Sequence, residues 1–381
     1  MRLNTVVAFV MLTLMQAVSA AGQDRDEIVI GKLCRMHSEI LDEDRDLEIY
    51  LPEYYSESKE AYPVLVVLDG GRFFQYCVSI VNMMSPNYMP GMIIVGLPNT
   101  DRTRDLYPLD SRQDEPGTGT QRFLGFMERE LIPYIEKEYR ALPYRILFGH
   151  SLAGLFTLYT LIEKPELFEV YIATSPSIRA PEDRGWLVKR LNTKPEGLLS
   201  GKYLYISAGG DETAALHSGV EEFDGFLDTV QGERFEHTFD IFTGEGHVPT
   251  KGFYQGLRSA FPHWIPELEF FLTGTLSDIK KHYGELTKKY RFPVAPPPTI
   301  ISSLGQRMLQ ADRGSEAVEV YQYYLSVYPR SVFGYLELAS AHRKMKDFDK
   351  AIEAIEKALK LEPEDKQALM MLKEMRELHP L

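Results

Sequence analysis

The sequence predicts an α/β protein in which a doubly wound, mostly parallel sheet is followed by a small all-α module. Between residues 46 and 210, compact apolar runs alternate with longer amphipathic segments. Runs of this kind are typical of strands buried on both faces, and the segments between them have helical spacing. From residue 299 onward the pattern is helical only, and it repeats.

Short runs of apolar, often β-branched residues indicate the strands, and apolar residues three and four apart indicate the helices. Leu47–Leu51 alternates as a half-buried strand does, and Gly252–Leu272 has the pattern of a closing helix. The predicted buried strands are Val64–Leu68, Met92–Leu97, Arg145–Phe148, Val170–Ala173 and Tyr203–Ser207, with His237–Thr243 as a last candidate and helices at Gln121–Tyr139 and Leu152–Ile162.

A proline-rich segment at 292–298 is the predicted linker between a larger domain at 21–291 and a helical module at 299–381. Its three consecutive prolines fix φ and remove backbone donors. The segment therefore suits neither a helix nor a central strand.

The helical module repeats with a period of 34 residues, which is the separation of Pro329 and Pro363. This period resembles that of the tetratricopeptide repeat family, with copies at about 298–331 and 332–365 and a capping helix at 366–378. Two repeats are fewer than the three normally needed for independent stability, so we expect the module to pack on the larger domain or on another chain. The resemblance also implies that the module binds a protein or peptide partner.

Composition limits the class of protein. The 381 residues are 44% hydrophobic and 25% charged, which is typical of a globular chain and not of a disordered or membrane-embedded one. A formal net charge of −13 repels a phosphate backbone, so we expect no nucleic-acid partner.

The first 20 residues have the features of a signal peptide. The apolar run Thr5–Met15 is shorter than the roughly 20 residues that span a bilayer, and small residues follow at Ser19–Ala21. We therefore expect cleavage near Ala20, export to the periplasm or the medium, and no membrane span in the mature chain. The only cysteines are Cys34 and Cys77, and the sequence leaves open whether they form a disulfide.

The segment Arg145–Phe156 carries the main chemical motif. A predicted buried strand runs into Ser151, and a predicted helix begins directly after it. This is the pattern of a nucleophile elbow, a strained turn that exposes the serine hydroxyl above the sheet and needs small neighbours. Ala153 replaces the usual last glycine, and Gly154 follows it. Ser151 is therefore the predicted nucleophile, and the alternative is a serine that caps a buried helix.

A serine nucleophile needs a base and an acid, and after such an elbow the chain order is serine, acid, histidine. His247 lies in a glycine-rich loop after the last predicted strand, so we expect it to be the general base. The acid is expected after Tyr203–Ser207, where both Asp211 and Glu212 occur. Glu212 is favoured, and Asp211 would then cap the helix that begins near Thr213.

The negative oxygen that forms during ester cleavage needs two backbone donors. One is expected from Leu152, directly after the nucleophile, and the other from the loop that contains Gly70 and Gly71. The sequence contains no metal-ligand spacing and no glycine-rich phosphate loop, so we expect neither a metal nor a cofactor.

Several segments together resemble the Putative esterase family, which groups esterase D, enterochelin esterase and similar α/β-hydrolases. The similarity covers about 28–272, and the segments are the elbow at Ser151, Leu68–Gly70, Pro98–Leu106, Thr174–Ser177, and Gly246–His247 followed by Tyr254–Arg258. The resemblance implies an α/β-hydrolase fold with Ser151 as nucleophile, His247 as base and the acidic loop at Glu212 as the third member. It also implies that the segment Arg102–Asp105 braces the site through an internal ion pair, with direct substrate contact by Arg102 or Arg104 as the alternative.

The sequence therefore predicts an exported serine esterase that hydrolyses a small carboxylic ester through an acyl-enzyme on Ser151. Two other hypotheses stay open. One is an acyltransferase that uses the same residues, and the other is an inactive hydrolase-fold scaffold whose repeats bind a partner. The fold and the family do not define which ester is cleaved.

Overall fold

The computed structural model describes residues 29–53, 55, 60–108, 119–179, 181–195, 197–230, 235–247 and 250–379. The predicted signal peptide at 1–20 lies outside these residues.

The strands of the described chain form one eight-stranded sheet. They are β1 (Lys32–Ser38), β2 (Glu43–Tyr50), β3 (Tyr62–Leu68), β4 (Ile93–Leu97), β5 (Ala141–His150), β6 (Val170–Thr174), β7 (Tyr203–Gly209) and β8 (Glu236–Phe242). Their spatial order is β1-β2-β4-β3-β5-β6-β7-β8. β2 pairs antiparallel with β1 and β4, and all the other pairs are parallel, so the sheet is mostly parallel as predicted.

Helices cover both faces of the sheet and then continue alone. They are α1 (Gly70–Met84), α2 (Arg102–Leu106), α3 (Gly119–Phe126), α4 (Ile132–Glu138), α5 (Leu152–Glu163), α6 (Pro181–Asn192), α7 (Ala214–Leu227), α8 (Thr250–Ala260), α9 (Leu268–Thr273), α10 (Leu276–Tyr290), α11 (Pro298–Gln310), α12 (Gly314–Val327), α13 (Val332–Lys344), α14 (Phe348–Leu361) and α15 (Lys366–Leu378). A π-helical turn at Met127–Leu131 joins α3 to α4, and a 3₁₀ turn at Pro165–Leu167 follows α5.

Two predicted helices differ from the structure. The expected closing helix at 252–272 ends at Ala260 and a new helix, α9, begins only at Leu268, because prolines at 262 and 266 interrupt it. The expected helix at 121–139 contains the π-helical turn directly before α4. Pro133 lies at the start of α4 and has no N–H to donate to the preceding turn, which accounts for the changed hydrogen-bond register.

Alternation along the central strand β3 divides the main core into two layers. Val64 and Val66 belong to one apolar cluster, with α3, α5 and α7, whereas Leu65 and Val67 belong to the other, with α1, α8 and α10. These side chains are at most 3% exposed, as expected for a parallel strand covered on both faces.

The second of these clusters extends beyond the sheet into the helical module. Ile301 and Leu304 of α11 and Tyr321 of α12 belong to the same buried cluster as Leu65. Most of the buried apolar side chains of α13 to α15 form a third, smaller cluster. The module therefore packs on the larger domain, as its small number of repeats predicted.

The predicted linker at 292–298 contributes buried side chains. Phe292 and Val294 are 5% and 7% exposed and join the second cluster, and α11 begins at Pro298. Cys34 and Cys77 are both free thiols. Within the described ranges, no helix is both long and apolar enough to cross a membrane.

Candidate active site

Ser151 lies between the end of β5 and the first residue of α5, at the carboxyl edge of the sheet. Its backbone has φ 60° and ψ −116°, a positive-φ conformation that residues other than glycine rarely adopt. Two backbone hydrogen bonds hold this strained turn, from Ser151 N–H to the Thr174 carbonyl at 3.0 Å and from Leu155 N–H to the Ser151 carbonyl at 3.0 Å. The hydroxyl is thereby presented above the sheet.

Small residues around Ser151 allow the turn to close. A Cβ on Gly149 would collide with the carbonyl oxygen of Ala153, and a Cβ on Gly154 would lie 3.1 Å from both the Pro176 Cα and the Thr174 carbonyl oxygen. A side chain at 154, where the helix meets the turn after β6, would therefore require these neighbours to shift by a few tenths of an ångström. The methyl group of Ala153 is fully buried in the first cluster, so the departure from the usual motif is accommodated.

His247 reaches Ser151 from the loop after β8. Its Nε2 lies 2.8 Å from Oγ of Ser151, which is hydrogen-bond distance for a base that accepts the hydroxyl proton. The histidine side chain is 38% exposed. Its other ring nitrogen, Nδ1, lies 3.3 Å from Oε1 of Glu212.

Glu212 is the acidic residue that the structure brings to His247, and its side chain is 1% exposed. Oε1 also accepts hydrogen bonds from the Ser175 hydroxyl and from the Gly209 N–H at 3.2 Å. Burial raises the pKa of Glu212, but the hydrogen bonds from His247, Ser175 and Gly209 outweigh it and the pKa is lowered. The carboxyl group is therefore ionised at neutral pH, the form that can stabilise an imidazolium.

Asp211, the other candidate acid, lies in a different environment from Glu212. The residue is exposed, and its N–H donates to the Glu245 carbonyl at 3.0 Å. The helix α7 has Thr213 at its N-cap without a side-chain bond, so the prediction that Asp211 caps this helix was wrong.

Two glycines that the sequence analysis did not use allow the acidic loop and the histidine loop to touch. A Cβ on Gly209 would collide with the carbonyl oxygens of Glu245 and Gly246, and a Cβ on Gly210 would lie 2.9 Å from the Thr243 Cα. The Gly210 N–H donates to the Phe242 carbonyl at 2.8 Å. Close backbone contact between these loops thus sets the distance between Glu212 and His247.

The predicted backbone donors occupy helix starts. Leu152 is the first residue of α5, and Gly70 and Gly71 are the first two residues of α1. These glycines lie in the first helical turn and not in the predicted loop. The N–H groups of a first turn have no acceptor within the helix, so they are free to bind an oxygen. Gly70 has no space for a side chain, since its Cβ would lie 2.5 Å from the Leu97 backbone nitrogen, whereas no atom of the described residues lies within 4 Å of a Cβ on Gly71.

Arg102 supports this helix start through an internal ion pair. Its Nε and Nη2 bind the two carboxylate oxygens of Asp69 at 2.7 and 2.8 Å, and Asn99 donates to Oδ1 of the same carboxylate at 2.6 Å. Asp69 is 6% exposed and has φ 55°, directly before Gly70. This ion pair agrees with the bracing role inferred for the Arg102–Asp105 segment.

Arg104 takes part in a second internal network. Its guanidinium binds both carboxylate oxygens of Glu43 and Oδ1 of Asp105, and the buried Arg45 binds Asp105 from the other side at 2.8 Å. Arg104 is therefore committed to protein carboxylates and is not a free substrate contact.

His150 is a neighbour of the site that the expected chain order of serine, acid and histidine does not select, because it precedes Ser151. It is 2% exposed, its ring centre lies 4.6 Å from that of His247, and its Nδ1 lies 3.2 Å from the Thr174 carbonyl oxygen. Burial, followed by the charge of His247, lowers the pKa of His150 to about 4. A neutral ring therefore packs beside His247 at physiological pH. Among the described residues, no group of three or more His, Cys, Asp or Glu side chains could hold a metal ion.

Comparison with known proteins gives two family matches. A family model described as Putative esterase matches residues 38–248, more than half of the chain, and a tetratricopeptide repeat model matches residues 332–365. The second match coincides with α13 and α14.

Individual relatives agree with the first match. The ferri-bacillibactin esterase BesA of Bacillus subtilis is 28% identical over 219 residues, which is 49% of this chain and 74% of that protein. The siderophore enterobactin esterase of Emericella nidulans is 33% identical over 191 residues, 42% of this chain and 61% of that protein. An IroE-like serine hydrolase from Shewanella oneidensis superposes with a TM-score of 0.63 and 27% identity, over 77% of this chain and 99% of that structure.

Proposed function

The chain belongs to the Putative esterase family, and we propose that this carboxylic ester hydrolase is an exported serine esterase with Ser151 as its nucleophile. One observation carries the proposal. In a strained strand-to-helix turn, Oγ of Ser151 lies 2.8 Å from Nε2 of His247, whose Nδ1 lies 3.3 Å from a buried carboxylate oxygen of Glu212. This is the arrangement of nucleophile, base and orienting acid that acyl transfer requires.

In the proposed acylation step, the Ser151 oxygen bonds to the ester carbonyl carbon and its proton passes to Nε2 of His247. The carbonyl electron pair moves to the oxygen, which accepts hydrogen bonds from Leu152 N–H and from the start of α1. The C–O bond to the alcohol then breaks, and the imidazolium gives its proton to the leaving oxygen. Water repeats the sequence on the acyl-enzyme and releases the acid and Ser151.

Glu212 supports both steps by accepting the Nδ1–H bond of His247. The ionised carboxylate holds the ring in the tautomer that leaves Nε2 free to take a proton, and it stabilises the positive ring that forms. The low pKa of buried His150 contributes as well, because no second positive charge then competes with the imidazolium of His247.

We further propose that the ester belongs to a siderophore. The support is the names of the relatives, which include a ferri-bacillibactin esterase and a siderophore enterobactin esterase. The purified mature chain should be compared on ferric enterobactin, ferric bacillibactin, feruloyl esters and p-nitrophenyl esters of several acyl lengths. A kcat/KM that is highest for an aryl or short acyl ester, with no turnover of either siderophore, would contradict this part of the proposal.

The nucleophile is tested separately from the substrate. A fluorophosphonate probe should label the wild-type chain in a single position and should not label Ser151→Ala, because the probe forms a bond only with an activated serine oxygen. Labelling of Ser151→Ala at the wild-type rate would show that another residue is the nucleophile.

Export and partner binding are the remaining parts of the proposal. The residues at 1–20 support export, and the tetratricopeptide match at 332–365 supports a protein or peptide partner for the module. Affinity capture with the module attached to the intact hydrolase, and with 332–379 deleted as the control, tests the second point.

A further inference from the structure

A short turn after β6 contacts two members of the proposed catalytic array of Ser151, His247 and Glu212, namely the nucleophile and the acid. Ser175 and Ser177 flank Pro176 in this turn, and the mechanism above uses neither hydroxyl. The Ser175 hydroxyl donates to Oε1 of Glu212, and Oγ of Ser177 lies 3.1 Å from Oγ of Ser151. The Ser177 N–H also donates to the Ser151 carbonyl at 3.0 Å.

We propose that Ser175 is a positioning residue of the esterase reaction, whose hydroxyl fixes Oε1 of Glu212 at the place where it receives Nδ1 of His247. This proposal rests on the proposed function, since it assigns Glu212 as the acid. Ser177 belongs to the same turn but contacts the nucleophile, so it provides a comparison at the opposite end of the array.

The two carboxylate oxygens of Glu212 differ in their contacts. Oε1 receives all the donors, which are the Ser175 hydroxyl, Gly209 N–H at 3.2 Å and His247 Nδ1 at 3.3 Å. Oε2 is buried and has no hydrogen-bond partner among the described residues. A carboxylate turns readily about its last bond, so only the donors on Oε1 select the orientation that serves His247.

Ser175 suits this task because its position is fixed by the backbone. It is 2% exposed, its N–H donates to the Ser207 carbonyl at 2.7 Å, and its φ of 45° lies in the left-handed region. An ionised carboxylate only accepts hydrogen bonds, so the Ser175 hydroxyl must donate, and its rotation is then restricted. Strain of this kind persists where the surrounding structure holds it, and it concentrates at functional sites.

The hydrogen bond from His247 to Glu212 is long enough to depend on the orientation of the carboxylate. A charge-assisted N–H···O bond is commonly about 2.7 to 2.9 Å long, whereas the His247 Nδ1 to Glu212 Oε1 distance is 3.3 Å. A small rotation of the carboxylate would lengthen it beyond hydrogen-bond distance. The Ser175 hydroxyl opposes that rotation because it holds the same oxygen, Oε1.

The test compares Ser175→Ala and Ser175→Gly with the wild type by the pH profile of kcat/KM. We expect both variants to lose about 10- to 100-fold in kcat/KM at neutral pH, the loss expected for a hydrogen bond to a charged group. The acid limb of the profile should also move to higher pH. The Ser175 hydrogen bond helps to lower the pKa of Glu212, so without this donor Glu212 protonates at higher pH and then no longer supports His247 as an ionised acceptor.

The glycine variant separates positioning from folding. Glycine adopts a positive φ without strain, so Ser175→Gly should fold even if Ser175→Ala does not. Ser38→Ala is the matched control, because Ser38 is fully buried and its hydroxyl also donates to a glutamate, Oε2 of Glu130 at 2.5 Å, outside the site. It should lower Tm without moving the pH profile. Ser177→Ala should lower kcat/KM without moving the acid limb, since its hydroxyl contacts the nucleophile and not the acid.

A double-mutant cycle with Glu212→Gln identifies which idea fails. If Ser175 acts through Glu212, Ser175→Gly should cause little further loss in the Glu212→Gln background. An equal loss in both backgrounds, or a wild-type profile for Ser175→Gly, would overturn the positioning role. An unchanged kcat/KM for Glu212→Gln alone would instead overturn the assignment of the acid in the proposed function.

Discussion

Replacing Gly209 by alanine should lower kcat/KM by about 100-fold while the chain stays folded. The added Cβ would collide with the carbonyl oxygens of Glu245 and Gly246 and would lie 2.9 Å from the Gly246 carbonyl carbon, whereas ordinary contact begins at 3.4 Å. The loop that carries His247 must therefore move by at least about half an ångström, and by more where the oxygens meet the methyl group. Misplacement of a catalytic group by about 1 Å costs on the order of 100-fold, or about 2.7 kcal/mol in transition-state stabilisation.

The assay is kcat/KM on one ester, with active sites counted by a fluorophosphonate probe and folding followed by Tm. Gly246→Ala is the matched control, because it lies directly before His247 in the same loop and no described atom lies within 4 Å of its Cβ. It should retain wild-type kcat/KM. If Gly209→Ala is as active as Gly246→Ala, then close contact between the two loops does not set the geometry of the site.

Further predictions concern the acid, the N-terminus and the internal network of Arg104, Glu43, Arg45 and Asp105. Glu212→Gln should lower kcat by about 10³- to 10⁴-fold, because the amide no longer holds His247 in the required tautomer. Asp211→Asn should have a kcat near that of the wild type. A larger loss of kcat for Asp211→Asn than for Glu212→Gln would make Asp211 the acid. Protein recovered outside the cytoplasm should begin close to Ala21 by N-terminal sequencing, and a chain still starting at residue 1 would contradict export by cleavage. The hydrogen bond from Arg104 lowers the pKa of Glu43 from 4.5 to about 2. The stabilisation from Glu43 is therefore complete above pH 4.5 and should be lost as pH falls towards about 2. When the free energy of unfolding is measured in urea at a series of pH values, Glu43→Gln should make it depend less on pH in that range. An equally steep dependence in the variant would refute this.

The buried strands could be predicted because burial on both faces leaves only apolar residues in a short run. β1 could not, since it lies at the edge of the sheet and carries exposed side chains such as Leu33, which is 77% exposed. The helix α1 was also missed, because Gly70 and Gly71 indicate a turn in the sequence. In the structure they open a helix, and Gly70 is required there by close approach to the neighbouring strand.

The residues of the site also differ in whether the sequence alone can identify them. Ser151 and His247 could be proposed from the sequence because each lies in a local pattern, a strand-to-helix elbow and a glycine-rich loop after a strand. The choice between Asp211 and Glu212 depends on which side chain turns towards the sheet, and adjacent acids look alike in a sequence. Ser175 and Gly209 act through contacts between loops that are distant in the chain, so only the folded structure relates them to the site.

The last prediction concerns the helical module. Deletion from Pro296 onward should leave kcat/KM within about tenfold per folded molecule, because the described hydrogen-bond partners of Ser151, Glu212 and His247 all lie before that point. The structure adds that this deletion removes Ile301 and other side chains from a cluster shared with the sheet. Burial of a large aliphatic side chain contributes about 1.5 to 3 kcal/mol, so the loss of several is comparable to the whole stability of a domain.

A second truncation separates the two parts of the helical module. Deletion from Ser331 onward removes α13 to α15, whose core is mostly a separate cluster, and retains α11 and α12 on the sheet. This shorter deletion should lower Tm much less than the deletion from Pro296, with kcat/KM per labelled active site near wild type in both. Equal losses of Tm would mean that α11 and α12 contribute little to the main core. A fall of more than about a hundredfold in kcat/KM for either folded, soluble truncation would mean that the module shapes the active site, because no proposed catalytic contact would have been removed.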